Sequence, residues 1–176
     1  MSTSSPKITK PNACMKIYQP LDFSFLDLKE VTDVEGCEPR MTPGLVLKCP
    51  KTNDGKWLTQ TLKMNNNQIE IINELPIVVS ELFGSCDYLT WLDLSCNKIS
   101  VIANGFQEVQ KLQTLQNLNK LTLHGNPIER EKGYFHIVLG ILPDLLSLDF
   151  TGISNADHQI AANCKRRSAK HRKTKQ

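Results

Sequence analysis

Long apolar runs are missing from this sequence: no stretch approaches the roughly 18–20 consecutive apolar residues that a membrane-spanning helix needs. The opening residues, MSTSSPKITKPNACMK, hold no apolar segment of the kind a secretory signal carries, so a reducing compartment is expected. Paired cysteines are missing too. Cys14, Cys37, Cys49, Cys86, Cys96 and Cys164 include no C-x-x-C pair and have no histidine at ligand spacing. That excludes the common zinc patterns and leaves free thiols, mostly small apolar filler. G-x-G-x-x-G, the P-loop, G-x-S-x-G and H-E-x-x-H are all absent. No catalytic residue, cofactor site or metal site is therefore expected.

Acidic residues are absent from one region only. The last twelve residues, KRRSAKHRKTKQ, hold seven Lys or Arg and no acid, and setting them aside leaves 14 basic against 18 acidic residues, a balance of −4. The chain reads as a mildly acidic body with a basic appendage. Three readings fit that appendage: a solvated end, a contact for an acidic protein surface, or a nuclear-import or RNA-contacting run. The body's charge disfavours nucleic acid as its own ligand. At 176 residues, 40% hydrophobic and 22% charged, the chain suffices for one domain with a real core.

What is present is a repeat. LTWLDLSCNKI (Leu89 to Ile99) and LNKLTLHGNPI (Leu118 to Ile128) both fit L-x-x-L-x-L-x-x-N-x-L, with Ile last. TQTLKMNNNQI (Thr59 to Ile69) departs from it only at Thr59. LLSLDFTGI (Leu145 to Ile153) keeps the apolar positions but has Ile153 where asparagine would fall. The third core position is Met64, Leu94, Leu123 and Phe150, at intervals of 30, 29 and 27 residues. Each L-x-L predicts a short strand whose side chains alternate between two faces. Leu92 and Leu94 point inward. The outward set is Thr61, Lys63 and Asn65, then Trp91, Asp93 and Ser95, then Lys120, Thr122 and His124, then Ser147, Asp149 and Thr151. After each strand the chain must turn while buried, so Asn67, Asn97 and Asn126 are expected to bond the turn backbone as a ladder.

These features predict an α/β leucine-rich-repeat solenoid. Its short parallel sheet lines the concave face, helices or irregular segments cover the convex face, and a helix caps the C-terminal end. PIVVSELF (76–83) predicts a helix with proline near its start. Gly105 to Asn117 predicts a short or irregular one through Phe106, Val109, Leu112 and Leu115. In the cap, Tyr134, Ile137, Val138, Ile141 and Leu142 form a buried helical stripe, Pro143 closes it, and His136 lies off it, exposed. At the other end, PLDFSF alternates Leu21, Phe23 and Phe25 as a half-buried strand would, and Leu28, Val31 and Val34 continue the apolar pattern. The expected division is a disordered arm (1–19), an N-terminal capping segment (20–56), the repeats (57–128), the C-terminal cap (129–160) and a basic tail (161–176).

The repeats, together with CEPR, LTLHGNPIEREKGY and LDFTGISNAD, resemble the short cytosolic leucine-rich-repeat class. Its C-terminal cap is the one seen in the spliceosomal A-prime protein and axonemal dynein light chain. The resemblance spans roughly 20 to 157, and only SVIANGFQEVQKLQTLQN stands where the class has a further repeat. It implies a non-enzymatic cytoplasmic protein of ciliated cells, a structural adaptor of the axoneme. The alternative is a nuclear ribonucleoprotein-associated protein that binds a protein or RNA.

An outward tryptophan among polar residues marks an interface, because tryptophan is enriched among the residues that dominate binding energy. The bland alternative is that Trp91 packs on Lys120 or Thr61 and binds nothing. The expected partner-binding residues are Thr61, Lys63, Trp91, Asp93, Lys120, Thr122, His124 and Asp149. The expected partner is a protein on the concave face, tubulin or an axonemal protein being the leading candidates, rather than a membrane or nucleic acid. His124 and Asp149 fall near each other in this pattern. A lone histidine on such a face is more often a contact residue than a general base.

Overall fold

The structure, a computed structural model, describes residues 18–40, 49–100 and 105–173. Most of the expected N-terminal arm, part of the N-terminal capping loop and the last three residues lie outside them. Six short strands form one sheet in chain order: β1 (Leu21–Asp22), β2 (Thr61–Lys63), β3 (Trp91–Asp93), β4 (Lys120–Thr122), β5 (Ser147–Leu148) and β6 (Thr151–Gly152). β1 to β5 pair in parallel, which places Leu21, Leu62, Leu92, Leu121 and Leu148 side by side. All five are buried, as are Phe23, Met64, Leu94 and Leu123 two residues on in the first four. The spacing of inward leucines thus became the spacing of strands, because only that register buries every one of them.

The asparagine ladder is present. Asn97 accepts from the N–H of Ile69 and donates to the carbonyls of Met64 and Leu94. Asn126 does the same for Ile99, Leu94 and Leu123. Asn67 accepts from both Leu26 and Leu28 and donates to Phe23 and Met64. Asn67 is therefore not at the end of the stack: the segment from Leu21 to Leu28 is a full rung, with Leu26 in the asparagine position and Leu28 in the last apolar one. Ahead of each ladder position one residue turns left-handed: Phe25, Asn66, Cys96 and Gly125 have φ of 58, 55, 53 and 76°. Phe25 is consequently 63% exposed and not the inward strand residue that alternation predicts.

The convex side follows the pattern. Helix α1 (Leu75–Phe83) has Pro76 in its first turn, where a missing N–H costs nothing, and ends at Gly84 in the left-handed region. Helix α2 (Gly105–Lys111) runs into a 3-10 turn, Leu112–Thr114. Val109, Leu112 and Leu115 are buried. Helix α3 (Tyr134–Ile141) caps the stack, with Tyr134, Val138, Ile141 and Leu142 buried.

Two departures concern the cap. Phe150 is 73% exposed and not core. Asp149 and Phe150 have φ of 48 and 65° and form a two-residue turn that folds β6 back antiparallel on β5. Positive φ at both central residues is the turn whose twist matches a hairpin. The second departure is α4 (Asn155–Lys173), which packs along α3 and runs unbroken across the expected boundary at 160. Its own Ala161 is buried against α3, and Lys165 Nζ donates to the carbonyl of Gly140. His136 is only half-exposed, and its Nε2 is buried with no hydrogen-bond partner among the described residues.

Candidate functional site

The outward face of the sheet is built in rows. Thr61, Trp91, Lys120 and Ser147 stand in register across β2 to β5, and Asp22, Lys63, Asp93 and Thr122 form the next row across β1 to β4. Trp91 is half-buried at the centre. Lys63 Nζ lies 5.7 Å and Lys120 Nζ 5.9 Å from the centroid of its ring, one from each neighbouring strand. Both lysines are within the range at which a cation is attracted to an indole face. Thr61, Lys63, Trp91 and Lys120 thus come together as the pattern predicts, with Trp91 left partly exposed between the two lysines.

Three expected contact residues are less available: two are buried within the row and Asp149 is half-buried. Asp93 and Thr122 are only 8% and 2% exposed. Each is short and stands between neighbouring strands of the sheet. Asp93 spends its carboxylate locally, Oδ1 accepting from the Ser95 N–H at 3.0 Å and its hydroxyl at 2.7 Å. Asp22 repeats this with Ser24.

Asp149 is the larger correction. Met64 and Leu94 donate their N–H to the backbone carbonyls of Asp93 and Thr122 on the next strand. Leu123 would donate to Asp149 in the same way, but the hairpin turns that carbonyl aside. The Asp149 side chain takes its place, accepting from the Leu123 N–H at 2.6 Å and from the Tyr134 hydroxyl at 2.8 Å. Burial, together with this carboxylate, pushes the Tyr134 phenol far above its ordinary value. Asp149 therefore fastens the last parallel strand to α3.

His124 is exposed, but its partner is not Asp149: Nδ1 lies 2.9 Å from Glu129 Oε1. Glu129 also accepts from the Gly125 N–H, and that bond, with His124 adding to it, holds its carboxyl below the usual range. Burial raises the thiols of Cys49 and Cys86, so these remain protonated. Among the described residues no group of His, Cys, Asp and Glu is arranged to hold a metal.

One contributor was not anticipated. Arg40 reaches the N-terminal edge of this face, its guanidinium 5.2 Å from the centroid of Phe25 and donating to the Ser24 carbonyl and hydroxyl. Nothing in the pattern marks Arg40, which lies in irregular chain. Phe25 could have been placed by aligning LDFSFLDL with LKMNNNQI.

Residues 88–109 match the family model described as Leucine Rich Repeat. Leucine-rich repeat-containing protein 51 from Mus musculus is 38% identical over 175 residues, an alignment covering 89% of this chain and 90% of that protein. The Homo sapiens protein of the same name is 38% identical over 173 residues, covering 88% of each. A chain in the crystal structure of the Drosophila melanogaster SNF/U2A' complex is similar in fold, with a TM-score of 0.51 and 25% identity, over 61% of this chain and 57% of that one.

Proposed function

The chain belongs to the leucine-rich repeat-containing protein 51 family, and on that premise we propose that it is a non-enzymatic adaptor that holds one protein segment on its concave face. Leucine-rich repeats are protein-interaction modules in general, and such solenoids present extended concave surfaces to partners. The observation that carries the reading is Trp91, a rigid ring at the centre of the sheet and flanked by Lys63 and Lys120. We place the protein in the cytoplasm, as a component of the ciliary axoneme with tubulin or an axonemal protein as partner. Its support is the resemblance of the repeats and cap to a class with an axonemal member. The likeness to a chain of the SNF/U2A' complex and the basic end of α4 favour a second reading, a nuclear ribonucleoprotein component.

The test pairs two neighbours of opposite orientation. Trp91→Ala should lose the partner in pull-downs from ciliated cells, since truncating a central aromatic anchor commonly costs about 2 kcal/mol or more of binding. It should leave the thermal melt nearly unchanged. Leu92→Ala should cost about 2–5 kcal/mol of stability through a core cavity. A Trp91→Ala variant that keeps every interactor sinks the concave-face reading. Imaging a tagged copy in the same cells, with and without residues 165–176, separates axoneme from nucleus.

A further inference from the structure

Neither end of the solenoid invites a neighbour by adding a strand. At the first end the Arg40 N–H donates to the Asp22 carbonyl on the outer edge of β1, and at the last β6 folds back on β5. The two ends do differ in sign. Between residues 22 and 38 the first rung and the 3-10 turn after it (Val31–Gly36) hold six acids and a single base, Lys29. Asp27, Glu30, Asp33, Glu35 and Glu38 are exposed, and among the described residues none of them meets a lysine or arginine at ion-pair distance. Bonds from the backbone N–H of Glu30 and of Lys29 hold the Asp33 carboxyl below the usual range, so it is ionised at neutral pH. At the other end α4 holds six Lys or Arg between 165 and 173, and no acid there. Lys165 stands beside Gly140, at the end of α3, and residues 166–173 continue for about 12 Å of helix.

We propose that copies of this chain associate head to tail, the basic half of α4 in one copy lying on the acidic first rung of the next. Charge complementarity selects the occupant: one molecule carries both surfaces, at opposite ends of a stack laid out in chain order. A copy cannot offer both ends to a single neighbour, so the contact is heterologous and repeats from copy to copy. Exposed ion pairs are individually weak and screened by salt, so the assembly is reversible and belongs to low ionic strength. It makes no use of the concave face and stands apart from that reading. Each surface has one rival occupant. Lys7, Lys10 and Lys16 of the same chain could lie on the acidic rung, and nucleic-acid phosphates on the basic helix. A second copy satisfies both surfaces at once.

The experiment is sedimentation of the full chain over a range of concentrations, at low and at high salt, with thermal melts for every variant. At low salt the average mass should rise with concentration past that of a dimer, and high salt should return it to the monomer, a readout that needs no variant to fold. Deletion of 165–176 removes the basic surface. Glu35→Lys/Glu38→Lys leaves four acids against three bases between 22 and 38 and so removes the acidic one. Each variant alone should be a monomer. Mixed in equal amounts they should form a dimer and nothing larger, because one supplies an acidic end and the other a basic helix. A full chain that is monomeric at every concentration overturns the proposal, as does association that stops at a dimer, survives high salt or survives either variant. Variants that fail to complement each other overturn it too. Association that appears only after removal of residues 1–17 assigns the acidic rung to the chain's own lysines instead. A monomer that binds a single-stranded RNA octamer through 165–176 assigns the helix to nucleic acid.

Discussion

Between β2 and β4 each buried turn is held by an asparagine that belongs to the repeat. At β5 the corresponding position is Ile153, and the backbone of the preceding rung is held by the Asp149 carboxylate from a hairpin turn. The two regions meet the same demand, that no backbone N–H be buried unpaired, by different means. An asparagine both donates and accepts, so it can join two rungs and be copied indefinitely. A carboxylate only accepts. It closes the ladder, and with Tyr134 donating to its second oxygen it ties the sheet to the cap. Repetition serves the interior, and a single non-repeating contact serves the end.

Removing the end altogether tests the comparison most severely. A chain truncated before Lys132 lacks α3, β5 and α4 and exposes the layer of Leu121 and Leu123, so soluble yield should collapse. Deletion of 165–176 alone removes one described contact, Lys165 to Gly140, and should leave the melt nearly intact. Within the interior, Asn97→Ala leaves the Ile69 N–H and the Met64 and Leu94 carbonyls short of a partner, at about 1–3 kcal/mol for each group fully orphaned. Asn67 carries two N–H groups of the first rung, so Asn67→Ala should shift the urea midpoint at least as far. A clearly smaller shift would mean that the Leu21–Leu28 rung contributes little.

At the end of the ladder, Tyr134→Phe should cost about 1 kcal/mol near neutral pH by removing one bond to Asp149. It should also change the alkaline limb. The phenol is raised in the folded state, so the unfolded chain ionises first, and stability should fall as pH climbs above tyrosine's ordinary value of about 10. The stability that resistance to ionisation provides is complete below that pH and lost above it. In Tyr134→Phe that part of the fall should vanish, as pH-dependent urea melts would reveal. The smallest expected effect is a gain. Cys96 occupies the left-handed position that Asn66 and Gly125 fill more comfortably, so Cys96→Asn should stabilise the fold, by less than about 1 kcal/mol.

The repeat interval, the inward leucines, the asparagine ladder and the place of Trp91 on the outward face are legible along the chain. All of these follow from alternation along a strand and from the need to pair buried backbone, which are local rules that repetition states several times over. Where the pattern was stated once, tertiary structure decided. Phe150 sits where a core residue would be, yet no further rung exists to bury it, so the chain reverses and exposes it. Asp149 and the buried Asp93 and Thr122 have the polarity of contact residues, and only the hairpin, which hands Asp149 to Leu123 and Tyr134, and the packing of neighbouring strands over the other two decide otherwise. Arg40 reaches the face from irregular chain, and α4 crosses the expected boundary because its first turns pack on α3. Which side chains of the face meet depends on distances across strands, and no reading along the chain contains those.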